Sequence, residues 1–190
     1  NSFVPQGDEY ARKRRSARLL LEELAEKTLG YTLDQEHLFV GISGRYEYKN
    51  KGIDVFVDVM SRLNSDSRTA QPIVAFVIVP AWVREGCYSN SKFATSAIVN
   101  EESDLTLNYI RQKHFGNIPD SRVKIIFVPT YLNGNDGTLN VPYYDILIGL
   151  DLTLFPSYYE PWGYTPMESA AFGIPTVTTS LAGFGQWVSP

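Results

Sequence analysis

The sequence predicts an α/β domain: a Rossmann-like, doubly wound, mainly parallel sheet with helices packed on it. Three observations carry that prediction. Short apolar runs alternate with stretches whose apolar residues recur at helical spacing, a βαβαβαβα order that favours parallel strands joined by crossover helices. Residues 73–79, Ile-Val-Ala-Phe-Val-Ile-Val, are apolar throughout, as expected of a strand covered on both faces. Two strand ends open into glycine-bearing loops that lead directly into helices, which is where ligands sit in doubly wound sheets.

Taken in order, residues 1–8 read as a loop with Pro5 and Gly7. A helix is expected from Asp8 to Leu29, with Leu19, Leu20, Leu24 and Ala25 as its apolar stripe and Gly30 as its C-cap. Arg12-Lys-Arg-Arg15 reads as a solvated face in preference to a binding patch. Whether this helix packs on the sheet or belongs to an interdomain element is left open. Leu38–Ser43 is a short apolar strand, and Ile53–Asn64 a helix with Ile53, Val55, Phe56, Val59, Met60 and Leu63 at helical spacing. A second strand spans Pro72–Ala81, a loop Trp82–Ser91, and a helix Lys92 to about Phe115, followed by Gly116. A third strand covers residues 122–128. The Asn133-Gly-Asn-Asp-Gly137 cluster is a turn, and Pro142–Gly149 a short helix. A buried strand ends at Phe155. Thr165-Pro-Met-Glu168 then opens a helix, with Thr165 as N-cap, Pro166 in the first position and Glu168 completing a capping box. A last strand, Thr176–Thr179, precedes the glycine-rich Gly183-Phe-Gly185.

Composition narrows the function. The 190 residues suffice for one domain with a real core, and a net charge of −4 does not suggest a nucleic-acid surface. One cysteine, Cys87, excludes an internal disulfide framework and a cysteine-based zinc site, and reads as a semi-buried thiol. His37 and His114 stand far apart, so a histidine-rich metal site is not expected. His114 reads as a late helical residue in a favourable dipole contact. No run of about 18 apolar residues is present, and no signal peptide, so the cytoplasm is the expected compartment. A start at Asn1 and a stop at Pro190 suggest a piece of a longer protein.

Two loops carry the candidate chemistry. Gly44-Arg-Tyr-Glu-Tyr-Lys-Asn-Lys-Gly52 places Arg45 and Lys51 after the first strand. Two cations there suit a diphosphate, Arg45 as a planar fork and Lys51 as a point charge. The alternative is ordinary surface charge, with Arg45 paired to Glu47. Neither a Walker A sequence nor a GxGxxG fingerprint is present. The second loop, Phe155-Pro-Ser-Tyr-Tyr-Glu-Pro-Trp-Gly-Tyr-Thr-Pro-Met-Glu168, joins a strand end to an exposed helix start, a natural anion site. Glu160 and Glu168 have seven residues between them. They suit acid–base chemistry or the holding of sugar hydroxyls. The capping role of Glu168 is the structural alternative. Glu160 precedes Pro161 and is therefore extended. Tyr143, Tyr158, Tyr159, Trp162 and Tyr164 are suited to stack on bases or sugar faces, or to pack beneath the loop.

These two motifs resemble the fungal and animal type of glycogen synthase. The likeness extends to Ile110-Arg-Gln, to Arg122-Val-Lys-Ile-Ile-Phe-Val-Pro129, and to Thr178-Thr179 with Gly183-Phe-Gly185, and so runs over most of residues 38–185. The resemblance implies the C-terminal domain of a retaining glycosyltransferase with two Rossmann domains (GT-B). It divides the chain into an N-terminal helix and lead-in, 1–37, and a nucleotide-sugar-binding domain, 38–190. It implies that Arg45 and Lys51 bind the diphosphate of UDP-glucose, helped by Gly163, Tyr164 and Thr165. Glu160 would contact the transferred glucose, Glu168 the ribose and Tyr143 the uracil, with Trp162 beside the site. No metal or other cofactor is expected. The acceptor would be the non-reducing end of glycogen or another α-1,4-glucan, and the family's N-terminal domain would supply the rest of the pocket. Between Arg62 and Glu101 the chain reads as shorter than eukaryotic members, a compact, bacterial-like form. Subunit association is left open. So are ADP-glucose, sucrose or trehalose chemistry, and a non-catalytic glucan- or nucleotide-sensing role.

Overall fold

The computed structural model describes residues 3–68, 71–84 and 91–189. Cys87 lies outside them. Among the described residues five strands, β1 (Leu38–Ser43), β2 (Ile73–Ile78), β3 (Val123–Val128), β4 (Leu152–Phe155) and β5 (Thr176–Thr178), form one sheet in the order β3-β2-β1-β4-β5. Every pairing is parallel. The chain winds outward from β1 to β3, then crosses back to lay β4 on the other side of β1. This reversal is the topological switch point of a doubly wound sheet.

Among the described residues six α-helices accompany the strands: α1 (Gly7–Leu29), α2 (Ile53–Ser65), α3 (Leu105–Gln112), α4 (Tyr143–Leu147), α5 (Tyr164–Ala171) and α6 (Gly183–Val188). β2 and β3 are buried along their whole length, because both faces of the sheet are covered. On one face Phe56 and Met60 of α2 and Leu107 and Ile110 of α3 pack on Val40, Ile42, Ala75 and Ile125. On the other, Ala17, Leu21 and Leu24 of α1 and Ile146 and Leu147 of α4 pack on Phe39, Phe76 and Ile126.

Helix α1 therefore belongs to the sheet's own core. Its stripe is turned from the expected one: Leu21 is fully buried, whereas Leu19 is 60% exposed. The basic run is not simply a solvated face. The Arg14 guanidinium donates to the carbonyls of Ile148 and Leu150, both at 2.8 Å, and pairs with Asp151. Arg18 donates to the second Asp151 oxygen at 2.7 Å, and Lys13 pairs with Asp145 at 3.0 Å. Asp151 also accepts the Phe39 amide at 2.8 Å. One carboxylate thus ties α1, β1 and the entry to β4 together.

Other expectations need correction. The long helix over 92–115 is absent: α3 begins only at Leu105, where the Asp104 side chain accepts the Leu107 amide at 2.9 Å, after a single 3-10 turn at Glu101–Ser103. The preceding backbone is drawn instead onto the open edge of β3, where Phe127 donates to Phe93 and Thr95 donates to Phe127. His114 lies past the end of α3 with φ 54°, a left-handed residue rather than a helical one. Gly183-Phe-Gly185 starts α6 rather than a loop.

Candidate functional site

The carboxyl ends of β1 and β4 lie side by side, and the loops leaving them form a single wall. Gly52, at the end of the first loop, has φ 69°. A Cβ there would stand 2.1 Å from the Pro156 carbonyl oxygen at the start of the second. The Tyr158 amide donates to the Asn50 carbonyl at 2.9 Å. Lys49 pairs with Asp54 and lies 5.3 Å from the centre of the Tyr158 ring. Only glycine at position 52 lets the two backbones approach this closely.

Above this wall is a cleft of about 510 Å³. Arg45, Lys51, Glu160, Tyr164, Thr165 and Glu168 line it. So do Ile78, Thr130, Tyr131, Tyr143 and Tyr144. Residues up to 123 positions apart in the chain thus meet at the switch point. Of the residues singled out from the sequence, Tyr158, Tyr159, Trp162 and Gly163 do not line the cleft. Gly163 is the left-handed N-cap of α5 (φ 104°). Trp162 packs on Phe184 and Trp187 and aims its ring N–H at the Met167 sulfur, 3.4 Å away.

The charges within the cleft are arranged unequally. Lys51 is only 6% exposed and is paired with Glu160. Ser157, itself buried, donates to the other Glu160 oxygen at 3.3 Å. Arg45 is held by Glu47 at 2.9 Å, yet its side chain is 74% exposed and free to swing toward a ligand. A buried ammonium with an exposed guanidinium beside it is a site for an anion of more than one charge.

Helix α5 starts two residues earlier than expected, and this removes the capping box. Thr165 already has helical backbone as its second residue, and no side chain caps the helix. Pro166 occupies the third position, where its missing N–H costs nothing. Tyr164 and Thr165 are the first two residues of the helix, whose amides have no partner within it, and both line the cleft. Glu168 does not bond back to the cap: its Oε1 accepts from the Tyr144 hydroxyl at 2.9 Å.

The sequence reading gave no role to Ser43, Ser157, Tyr131 or Tyr144, all of which help to form or support the cleft. Ser43 ends β1 and bonds the Tyr143 hydroxyl at 2.6 Å. Burial holds that phenol above its ordinary value. Adjacency to a motif was the available signal for Ser43, Ser157 and Tyr144; Tyr131 had none. Among the described residues no three His, Cys, Asp or Glu side chains converge in a way that could hold a metal ion. No helix among them is long and apolar enough to cross a membrane.

The family described as glycogen synthase matches residues 26–92 and 84–190. Glycogen (starch) synthase isoform 2 of Saccharomyces cerevisiae is 31% identical over 80% of this chain and 32% of its own length. Glycogen (starch) synthase of Neurospora crassa is 30% identical over 83% of the chain and 32% of its own. The liver glycogen (starch) synthase of Rattus norvegicus is 30% identical over 80% and 30%. The chain thus spans about a third of the length of the curated relatives it matches. The two matched stretches overlap at residues 84–92. Among solved structures, WaaG, a glycosyltransferase involved in lipopolysaccharide biosynthesis, is similar with a TM-score of 0.49 at 14% identity, over 88% of this chain and 35% of that one.

Proposed function

The chain belongs to the glycogen synthase family, and from that premise we propose that it is the nucleotide-sugar-binding, C-terminal domain of a cytoplasmic, retaining GT-B enzyme. The full-length protein moves glucose from UDP-glucose to the 4-hydroxyl at the non-reducing end of an α-1,4-glucan. A second domain of the same protein closes the cleft and brings the acceptor.

The observation that supports this reading most is the Lys51–Glu160 pair at the switch point, with Arg45, Thr165 and Glu168 around the same cleft. Lys51 and Arg45 take the donor diphosphate, and the amides at the start of α5 and the Thr165 hydroxyl complete its shell. As the bond from the glucosyl C1 to the phosphate oxygen breaks, negative charge grows on the leaving UDP. Fixed cations and dipoles in a half-buried cleft stabilise that charge without having to reorganise. Glu160 accepts hydrogen bonds from glucose hydroxyls, Glu168 from the ribose, and Tyr143 stacks on the uracil. The acceptor oxygen attacks C1 from the face the phosphate leaves, its proton passes to the leaving phosphate oxygen, and the α configuration is kept. Protein cations do the work a metal would otherwise do.

The test is glucosyl transfer by the full-length protein, using labelled UDP-glucose or ADP-glucose and an α-1,4-glucan, with the product's anomeric configuration read by NMR. Transfer from UDP-glucose with retention, lost in Glu160→Gln, is the expected result. UDP binding with no transfer from either donor would make the protein a sensor and overturn the proposal.

A further inference from the structure

We infer that Tyr144 is a positioning residue that orients the Glu168 carboxylate toward the ribose of the donor; the inference rests on the ribose role proposed above for Glu168. Among the described residues no second side chain bonds this carboxylate, so the Tyr144 hydroxyl at 2.9 Å sets its rotation. The hydroxyl donates to Oε1, so the second oxygen of this cleft-lining carboxylate is the acceptor left for a ligand. A ribose diol offers hydroxyl donors to such an acceptor.

The Tyr144 ring is itself held on three sides. It stacks on Phe172 with centroids 5.4 Å apart and planes within 5°. Phe3 meets it edge-on at 4.6 Å, and Tyr143 lies tilted at 5.3 Å. A ring so confined delivers its hydroxyl to one place. Burial, then the bond to Glu168 and its charge, keep the phenol above its ordinary value, so it remains a donor at neutral pH. Tyr143 and Tyr144 are consecutive residues of α4, and Tyr143 is anchored by Ser43. One short helix thereby sets both the base platform and the carboxylate beside it, which fixes their spacing.

The experiment uses the full-length protein and measures dissociation constants for UDP and for 2′,3′-dideoxy-UDP, which carries the same charge and base without the ribose hydroxyls. Variants are Tyr144→Phe, Glu168→Gln and the double variant. Tyr144→Phe keeps every ring contact and removes one oxygen. It is expected to weaken UDP about 10-fold, the scale of one hydrogen bond to a charged group, and to leave dideoxy-UDP unchanged. In the Glu168→Gln background it should add nothing. The donor KM should rise with kcat nearly constant. Equal weakening of both nucleotides would mean ring packing alone and overturn the inference, as would unchanged UDP binding. If Glu168→Gln does not separate UDP from dideoxy-UDP, the ribose reading falls and the positioning role with it. If it separates them and Tyr144→Phe does not, only the positioning role falls. Should Tyr144→Phe lower the melting midpoint, Phe172→Leu, which loosens the stack but keeps the hydroxyl, supplies the same comparison.

Discussion

Gly52→Ala tests whether the contact between the two loops is what assembles the cleft. The new Cβ would lie 2.1 Å from the Pro156 oxygen and 2.7 Å from its carbonyl carbon, where real Cβ contacts essentially never fall below 3.0 Å. The loops must therefore part by about 1 Å, the scale of displacement that costs on the order of 100-fold in rate when it misplaces reacting groups. Holding alanine in the left-handed region adds about 1–2 kcal/mol, and the overpacking about 1–3 kcal/mol more. Denaturant melts of the full-length protein should show a loss of about 2–5 kcal/mol. Glucosyl transfer, measured where the variant is still folded, should fall about 100-fold. Gly137→Ala is the control: Gly137 has φ 75° with nothing within 4 Å of its Cβ, so it should lose only the conformational part and keep its activity. A Gly52→Ala protein with wild-type melting and turnover would refute the argument that these loops must touch.

Three further outcomes follow from the geometry. Lys51→Met strips the partner from a Glu160 side chain only 14% exposed; the melt should show a loss of about 3 kcal/mol, largely recovered in Lys51→Met/Glu160→Gln, while transfer stays abolished in both. Arg14→Ala removes two carbonyl contacts and one carboxylate contact from a half-buried guanidinium; unfolding free energy should drop by about 2–3 kcal/mol with donor KM unchanged, since Arg14 does not line the cleft. His37 is 4% exposed, and burial first, with Lys124 adding to it, pulls its pKa below the ordinary 6.5. The unfolded chain then binds a proton that the native state resists, so this contribution is complete above pH 6.5 and is lost as pH falls through the folded value. The loss approaches about 1.4 kcal/mol per pH unit, and His37→Asn should flatten that part of a urea-midpoint profile between pH 7 and 5.5.

The parallel sheet was legible because strands covered on both faces are written as unbroken apolar runs, as in residues 73–78 and 123–128. The two loops that line the cleft were legible because their glycines and helix-starting residues are local. What failed depended on distant partners. The 92–115 segment has a mixed pattern, and only the open edge of β3 explains why Phe93 and Thr95 lie extended. The Thr165–Glu168 spacing matched a capping box, but a left-handed Gly163 starts the helix at Tyr164, and Tyr144, 24 residues upstream, claims the carboxylate. Arg14 read as surface charge because Asp151, its partner, is more than 130 residues away. Arg45 and Lys51 could be proposed from spacing, but the pairing of Lys51 with Glu160 spans 109 positions and needed the fold.

The most direct test of the donor-site assignment is calorimetric titration of the full-length protein with UDP and ADP, repeated on Arg45→Ala. Arg45 is exposed and, among the described residues, bonded only to Glu47, so its removal should alter the melt by less than about 0.5 kcal/mol. The account predicts tighter binding of UDP than of ADP, and a loss of about 10-fold or more for UDP in the variant, as expected for a charged contact to phosphate. UDP bound as tightly by Arg45→Ala as by the wild type would contradict the diphosphate role of Arg45 and with it the site's proposed chemistry.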